Sequence, residues 1–231
     1  MVKNELKQLI DEAYERPRRF GIYQGVRKFK HGEMFKNVWF MHSIKNRANI
    51  ACESDLEKHL CMHMEFENAV ESYRPQPFKL KFDDFSYTPD FLVKCKNGLY
   101  KIREAKRLAE AESSKYKEKF EVVTQYCNKH GVDFEIFTEA DISKKVLITQ
   151  NFVYHLMRGK PVSPADMEAC YQALKKQDIK TAKLLDVRDF VESLGFDSIV
   201  IIQLIAQGIL KSNIAPHSVK NAYVSMIGGA V

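Results

Sequence analysis

YTPDFLVKCKNGLYKIREAKR, residues 87–107, holds two apolar runs on either side of Asn97-Gly98. Residues 87–95 and 99–105 read as two strands, and Asn97-Gly98 reads as the hairpin turn between them. Asp90 then stands at the mouth of the first strand, with Glu104 and Lys106 at the end of the second. Folding the strands together gathers three charged groups at one end of a sheet. Sheet formation alone does not require that.

The register decides whether these groups can cooperate. A regular two-residue turn at Asn97-Gly98 sets Asp90 opposite Ala105 and turns it away from Glu104. A three-residue loop, Lys96-Asn97-Gly98 with Gly98 in a left-handed bulge, pairs Cys95 with Leu99 and sets Asp90 opposite Glu104. A shared site therefore predicts the odd loop, unless a bulge further along restores the face. Pro89 cannot donate to a ladder, so Asp90 sits where the pairing frays. Glu104 and Lys106, two apart, share one strand face while Ala105 points away.

Around this hairpin the periodicity predicts helix over residues 3–16 and irregular chain over 17–50. A second helix follows from Ser54 to about Glu67, with Leu56, Leu60, Met64 and Phe66 as its apolar stripe. YRPQPFKLKF (73–82) enters a strand, since its two prolines forbid helix and Phe78, Leu80 and Phe82 alternate. Residues 108–129 read as one long helix ended by His130-Gly131, and 132–137 as a further strand. The order αβββαβ, with a crossover helix before the last strand, implies an α/β core with a mixed sheet. Three helices are expected from 161–177, 180–195 and 196–214, with Gly208 closing the third and a short strand following over Ile209 to Ile214. That is the outline of a winged-helix-like module. Its third helix, SIVIIQLIAQ, bears no Lys or Arg, which suits docking to a protein at least as well as reading a groove. The expected division is 1–50 as a basic N-terminal arm, 51–148 as the core and 149–231 as the C-terminal domain.

The net charge of +6 is confined to one segment. Residues 1–50 hold 11 Lys or Arg against 5 Asp or Glu, while the remainder holds 25 of each. RPRRF (16–20) and VRKFK (26–30) are the densest parts, with Phe20, Tyr23 and Phe29 among the cations. This pattern suits a phosphate backbone and makes Arg16, Arg18, Arg19, Arg27, Lys28 and Lys30 candidate DNA contacts. A solvated surface is the plain alternative for any one cluster.

Five scattered cysteines, with no Cys-x-x-Cys, argue against a disulfide framework or a zinc ribbon and predict reduced, buried thiols. The N-terminal residues do not read as a signal peptide. No apolar run reaches the roughly 20 residues of a membrane span. A cytoplasmic protein without a membrane partner is expected.

Metal-dependent phosphodiester cleavage needs acidic oxygens for Mg2+, a means of activating water, and positive charge near the scissile phosphate. Asp90 and Glu104 are candidate ligands, and Lys106 is the candidate cation. CESDLEKHL adds Glu53 and Glu57, which share one helix face. Ser54-x-x-Glu57 is also a capping box, and spacing alone leaves the two roles of Glu57 open. His59 and His63 have a spacing that suits zinc, but neither a third ligand nor a His-Glu-x-x-His accompanies them.

ESDLEKHLCMHMEFENAVESYRPQPFKLKF, then YTPDFLV, then REAK, resembles in its order the TnsA family of transposon-end endonucleases. The resemblance spans roughly residues 50–140 and extends less specifically to the helical tail. It implies a restriction-endonuclease-like PD-(D/E)xK fold and a winged-helix C-terminal domain. By position it assigns the helical acid to Glu57, with Glu53 as the alternative, the strand acid to Asp90 and the last pair to Glu104 and Lys106. Gln76 matches the family's Gln-Pro-Phe and is expected near the site. The resemblance further implies one or two Mg2+ ions, with Mn2+ as a substitute, and cleavage of the 5′ strands of double-stranded transposon ends. The implied partners are a TnsB-like DDE transposase and a TnsC-like AAA+ ATPase, the latter met through the C-terminal domain. The competing expectations are a restriction or repair nuclease of the same fold and a non-catalytic DNA-binding adaptor.

Overall fold

The computed structural model describes residues 3–23, 25–26, 38–157, 162–215 and 219–226. The chain divides into two compact units, Met1–Glu65 with Ala69–Ile142, and Phe66–Asn68 with Ser143–Val231. In chain order the helices and strands of the first unit are α1 (Lys3–Glu15), β1 (Ile22–Tyr23), β2 (Trp39–Ser43), β3 (Ala48–Cys52), α2 (Asp55–Phe66), β4 (Val70–Pro75), β5 (Leu80–Lys81), β6 (Ser86–Tyr87), β7 (Phe91–Cys95), β8 (Tyr100–Ala105), α3 (Leu108–Ala111), α4 (Ser114–Lys129) and β9 (Asp133–Phe137).

The centre of this unit is a four-stranded mixed sheet of order β4-β7-β8-β9. β7 is antiparallel to both β4 and β8, whereas β8 and β9 run parallel across the α3–α4 crossover. Phe91, Leu92 and Val93 of β7 are wholly buried, as an inner strand covered on both faces requires. Leu92 and Ile102 pack with Leu6, Ile10 and Ala13 of α1 and with Phe120, Val123 and Cys127 of α4. The alternate residues Tyr73 and Phe91 meet edge to face.

The β7–β8 loop has three residues. Gly98 lies at φ +83°, the Gly98 N–H donates to the Cys95 carbonyl at 2.9 Å, and the Cys95 N–H donates to the Leu99 carbonyl at 2.9 Å. The resulting register pairs Phe91 with Arg103 and Lys94 with Tyr100. One step further out, it brings Asp90 level with Glu104.

The expectation of irregular chain over 17–50 needs correction. β1, β3 and β2 form a second sheet in that order, with β1 parallel and β2 antiparallel to β3. It is fastened to β4 by the buried Glu65, which accepts hydrogen bonds from the Ser43 hydroxyl, the Ile44 N–H at 2.9 Å and the Tyr73 hydroxyl at 2.7 Å. Two further boundaries also differ. The strand expected over 73–82 breaks after Pro75 and resumes as β5, which pairs with β6. The helix expected over 108–129 is interrupted before Ser114, where Ser113 in an extended conformation restarts it.

The second unit contains α5 (Lys144–Met157), α6 (Pro164–Lys176), β10 (Thr181–Lys183), α7 (Leu184–Ser193), α8 (Ile199–Ala206), β11 (Leu210–Ser212) and β12 (Tyr223–Met226). Ser163 caps α6 by accepting the Asp166 N–H at 3.0 Å, and Pro164 occupies its first turn. The strands form a small antiparallel sheet of order β10-β12-β11. α5, β10 and β12 extend beyond the three helices and short strand expected here. α8 buries Val200, Ile201, Gln203, Leu204 and Ala206, so packing accounts for its apolar sequence. No helix among the described residues is long and apolar enough to cross a membrane.

Candidate active site

The site is built where β7 and β8 cease to pair. Pro89 offers no N–H, so the ladder ends and Asp90 substitutes its side chain for a backbone group. Asp90 Oδ2 accepts the Ala105 N–H at 2.9 Å. The Asp90 N–H points to Glu104 Oε2 at 3.4 Å, and the Tyr87 hydroxyl donates to the same oxygen at 2.7 Å. The Asp90 carbonyl accepts the Gln76 N–H at 2.8 Å, which carries the β4–β7 ladder one residue past β4. Gln76 then turns the chain at φ +39°.

Two chain segments meet this corner from elsewhere. The Val26 N–H donates to the Gln76 carbonyl at 2.9 Å, and a Cβ on Gly25 would lie 2.1 Å from the Gln76 Cβ. Only glycine fits at that approach. From the other direction, Cys52 ends β3 and leads directly into the start of α2. There the Glu57 carboxylate accepts the Glu53 N–H at 2.8 Å and the Ser54 hydroxyl at 3.1 Å, while Ser54 Oγ accepts the Glu57 N–H at 3.1 Å. Glu57 therefore does cap its helix. It is also close enough to Asp90 to feel its charge.

The electrostatics show why this corner is unusual. Glu57, Asp90 and Glu104 are 9%, 8% and 7% exposed. Burial, then the charge of Asp90, raise the Glu57 carboxyl from its ordinary 4.5 to about 7, against the opposing hydrogen bonds from Glu53 and Ser54. Burial also raises Glu104, opposed by the Tyr87 hydrogen bond and by the charges of Lys106 and Lys119. Desolvated carboxylates that repel one another are costly to keep ionised. Among the described residues, no three His, Cys, Asp or Glu side chains are grouped closely enough to hold a metal ion as they stand.

Lys106 lies over the Tyr116 ring at 4.8 Å and 3.8 Å from Glu110. Lys119 of α4 lies over Tyr87 at 5.2 Å. Tyr87 and Lys119 are the contributors that sequence reasoning missed. Tyr87 stood within the quoted motif without a role. Lys119 is one of several lysines on an amphipathic helix, and nothing local marks it.

The other candidates divide. The Arg16 guanidinium donates to the Pro77 carbonyl at 2.8 Å, and that of Arg18 to the Arg47 carbonyl at 2.8 Å, so both brace the fold. Arg19 is exposed. Arg27, Lys28, Lys30 and Phe29 lie outside the described residues. Tyr23 is buried, with the Arg74 guanidinium 4.0 Å above its ring. Glu53 enters through its backbone N–H. His63 lies 5.7 Å from the Phe137 ring and belongs to no metal-binding group among the described residues. All five cysteines are buried free thiols.

Comparison with curated proteins gave no match. Residues 67–139, which hold Gln76, Tyr87, Asp90, Glu104 and Lys106, match the family described as TnsA-like endonuclease N terminal, and through that segment the chain is similar to nucleases related to transposition.

Proposed function

We propose that the first unit is a divalent-cation-dependent endonuclease that cuts the 5′ strands at transposon ends. The contact of Asp90 with Glu104 carries this reading, because only the three-residue loop makes it and the sheet itself does not need it. The donor set fits the implied ion. Asp90, Glu104 and Glu57 offer hard carboxylate oxygens, the class Mg2+ prefers, with Mn2+ as a substitute. Burial raises Glu104 in spite of Lys106 and Lys119, so a bound cation would stabilise its ionised form. Once bound, one or two such ions supply Lewis acidity and an activated water.

The chain's own groups do the rest. Tyr87 fixes the Glu104 carboxylate through Oε2, and the Ala105 N–H fixes Asp90. Lys106 sits where positive charge can face a phosphate. Glu57 would exchange its cap contacts for the ion, and Glu53 is the alternative ligand on the same turn. The basic segment, including Arg19, would hold the duplex, and a TnsB-like DDE transposase would cut and join the 3′ ends. The second unit, read as winged-helix-like, would dock a TnsC-like AAA+ ATPase. The whole fold is read as restriction-endonuclease-like.

The test is a titration of Mg2+ and Mn2+ with a transposon-end duplex, alone and with the transposase. Asp90→Ala and Glu104→Ala should abolish 5′-strand cleavage while 3′-end joining persists. Cleavage by wild type without the transposase would favour a restriction or repair nuclease. Equal, weak responses of wild type and Glu104→Ala would favour an adaptor whose acids are structural. Loss of both cleavage and joining in Asp90→Ala would contradict the division of labour.

A further inference from the structure

Arg19-Phe20-Gly21-Ile22 forms a closed two-residue turn. The Arg19 N–H donates to the Ile22 carbonyl at 3.0 Å, and the Ile22 N–H donates to the Arg19 carbonyl at 3.0 Å. Both central residues have positive φ, 53° at Phe20 and 75° at Gly21. That is the type I′ signature, and its first central position strongly favours Asn, Asp or Gly. A bulky aromatic there is a backbone outlier. Phe20 is nevertheless 99% exposed, so it gains no burial in exchange for the strain. A local choice that opposes the fold without compensation marks a function outside it.

The surroundings say what Phe20 faces. Arg18 and Arg19 precede it, and the Arg18 guanidinium is held on the carbonyl of Arg47, an exposed residue of the β2–β3 turn. The Gly21 carbonyl accepts the Asn49 N–H at 3.0 Å, which locks the turn to β3. Across that sheet Phe40 and His42 are also exposed. Residues 16–23 and 38–52 contain no Asp or Glu. An exposed aromatic tip with Arg18 and Arg19 beside it in the chain and no acid in these segments is complementary to a polyanion that offers flat rings.

We propose that Phe20 is a wedge that stacks into a base step of duplex DNA, with Arg18, Arg19 and Arg47 on the flanking phosphates. This rests on DNA as the ligand of the first unit. β3 runs from Asn49, at the turn, to Cys52, beside Glu53. The three rises from Asn49 to Cys52 span about 10 Å, or about three base-pair steps. The wedge therefore enters a few steps from the cleaved phosphate.

The test uses the full chain, without divalent ions, on a mixed-sequence duplex carrying a stacking-sensitive fluorescent base analogue. Affinity is read by anisotropy across a range of salt. Phe20→Asn suits the turn better, so its melting temperature should be equal or about 2–4 °C higher. Its affinity should fall about 5- to 150-fold with loss of the analogue signal, while the salt slope stays unchanged. Phe20→Trp should retain both. Arg19→Ala should lower the slope by about 1. Wild-type affinity in Phe20→Asn, or a wild type that fails to bind the duplex, overturns the proposal. So does unchanged DNA binding with loss of self-association, which would assign the tip to a second copy. The assay holds no divalent ion and reads binding alone, so failure of the cleavage reading and failure of the wedge are separately visible.

Discussion

Glu57→Gln separates a ligand from a cap. In the folded protein the Glu57 carboxyl is raised to about 7 by burial and by Asp90. An acid raised on folding stabilises the fold when protonated. Its contribution is full below about pH 4.5 and is lost as pH rises through about 7. The rise corresponds to about 3 kcal/mol between these limits. Glutamine removes the charge but keeps one carbonyl oxygen for the Glu53 N–H. The weakened cap costs about 1 kcal/mol. Above pH 7 the variant should therefore be about 2 kcal/mol more stable than wild type, or about 4–8 °C in melting temperature for a chain of this size. Near pH 4 it should be slightly less stable. Thermal melts from pH 4 to 8, with and without Mg2+, read both effects. Mg2+ should raise the wild-type melting temperature more at high pH than at low pH, because binding competes with the proton. In Glu57→Gln that pH-dependent gain should shrink. A variant that is less stable at every pH, with an unchanged Mg2+ response, would refute the reasoning and leave Glu57 as a cap alone.

Tyr87→Phe removes a hydrogen bond that holds the Glu104 carboxyl down. Glu104 should rise further, and the acid limb of the pH–cleavage profile should move to higher pH with the fold intact by circular dichroism. Gly98→Val places a branched side chain at φ +83° and should cost about 1–2 kcal/mol in chemical denaturation. Cleavage should fall with it, since the loop sets the Asp90–Glu104 register. Gly25→Ala drives a Cβ into Gln76 and should lower stability by about 1–3 kcal/mol. A neutral melt would refute the close approach of Gly25 to Gln76.

The hairpin carried its own answer in part. The strands and the turn at Asn97-Gly98 were legible, and so was the choice between two registers. Which register forms depends on Gly98 taking the bulge, a choice made among cross-strand contacts that no local pattern encodes. The small sheet of β1–β3 was not legible for a different reason. ANIAC is buried at nearly every position, so it lacks the alternation that marks a half-buried strand. β2 exposes Trp39 and Phe40 in succession, which blurs the period as well. Glu65 reads as a solvated residue near a helix end, and only the fold shows it tying two sheets together. At the candidate site Asp90, Glu104, Lys106 and Glu57 could be nominated from sequence because strand parity and helix spacing constrain them. Lys119 comes from a distant helix and needed three dimensions.

The place of β8 has a consequence for selectivity among ions. It is an inner strand of the sheet, and Glu104 on it is paired with Ile136 of β9, so the sheet holds Glu104 in place. Asp90 lies just past the last β7–β8 rung, with its side chain held by the Ala105 N–H. Glu57 sits at a helix entrance, its carboxylate held by two hydrogen bonds that can be traded. Under the proposed reading, adjustment to an ion of different radius falls to the helix, and the tightness of its first turn would tune which metals support turnover.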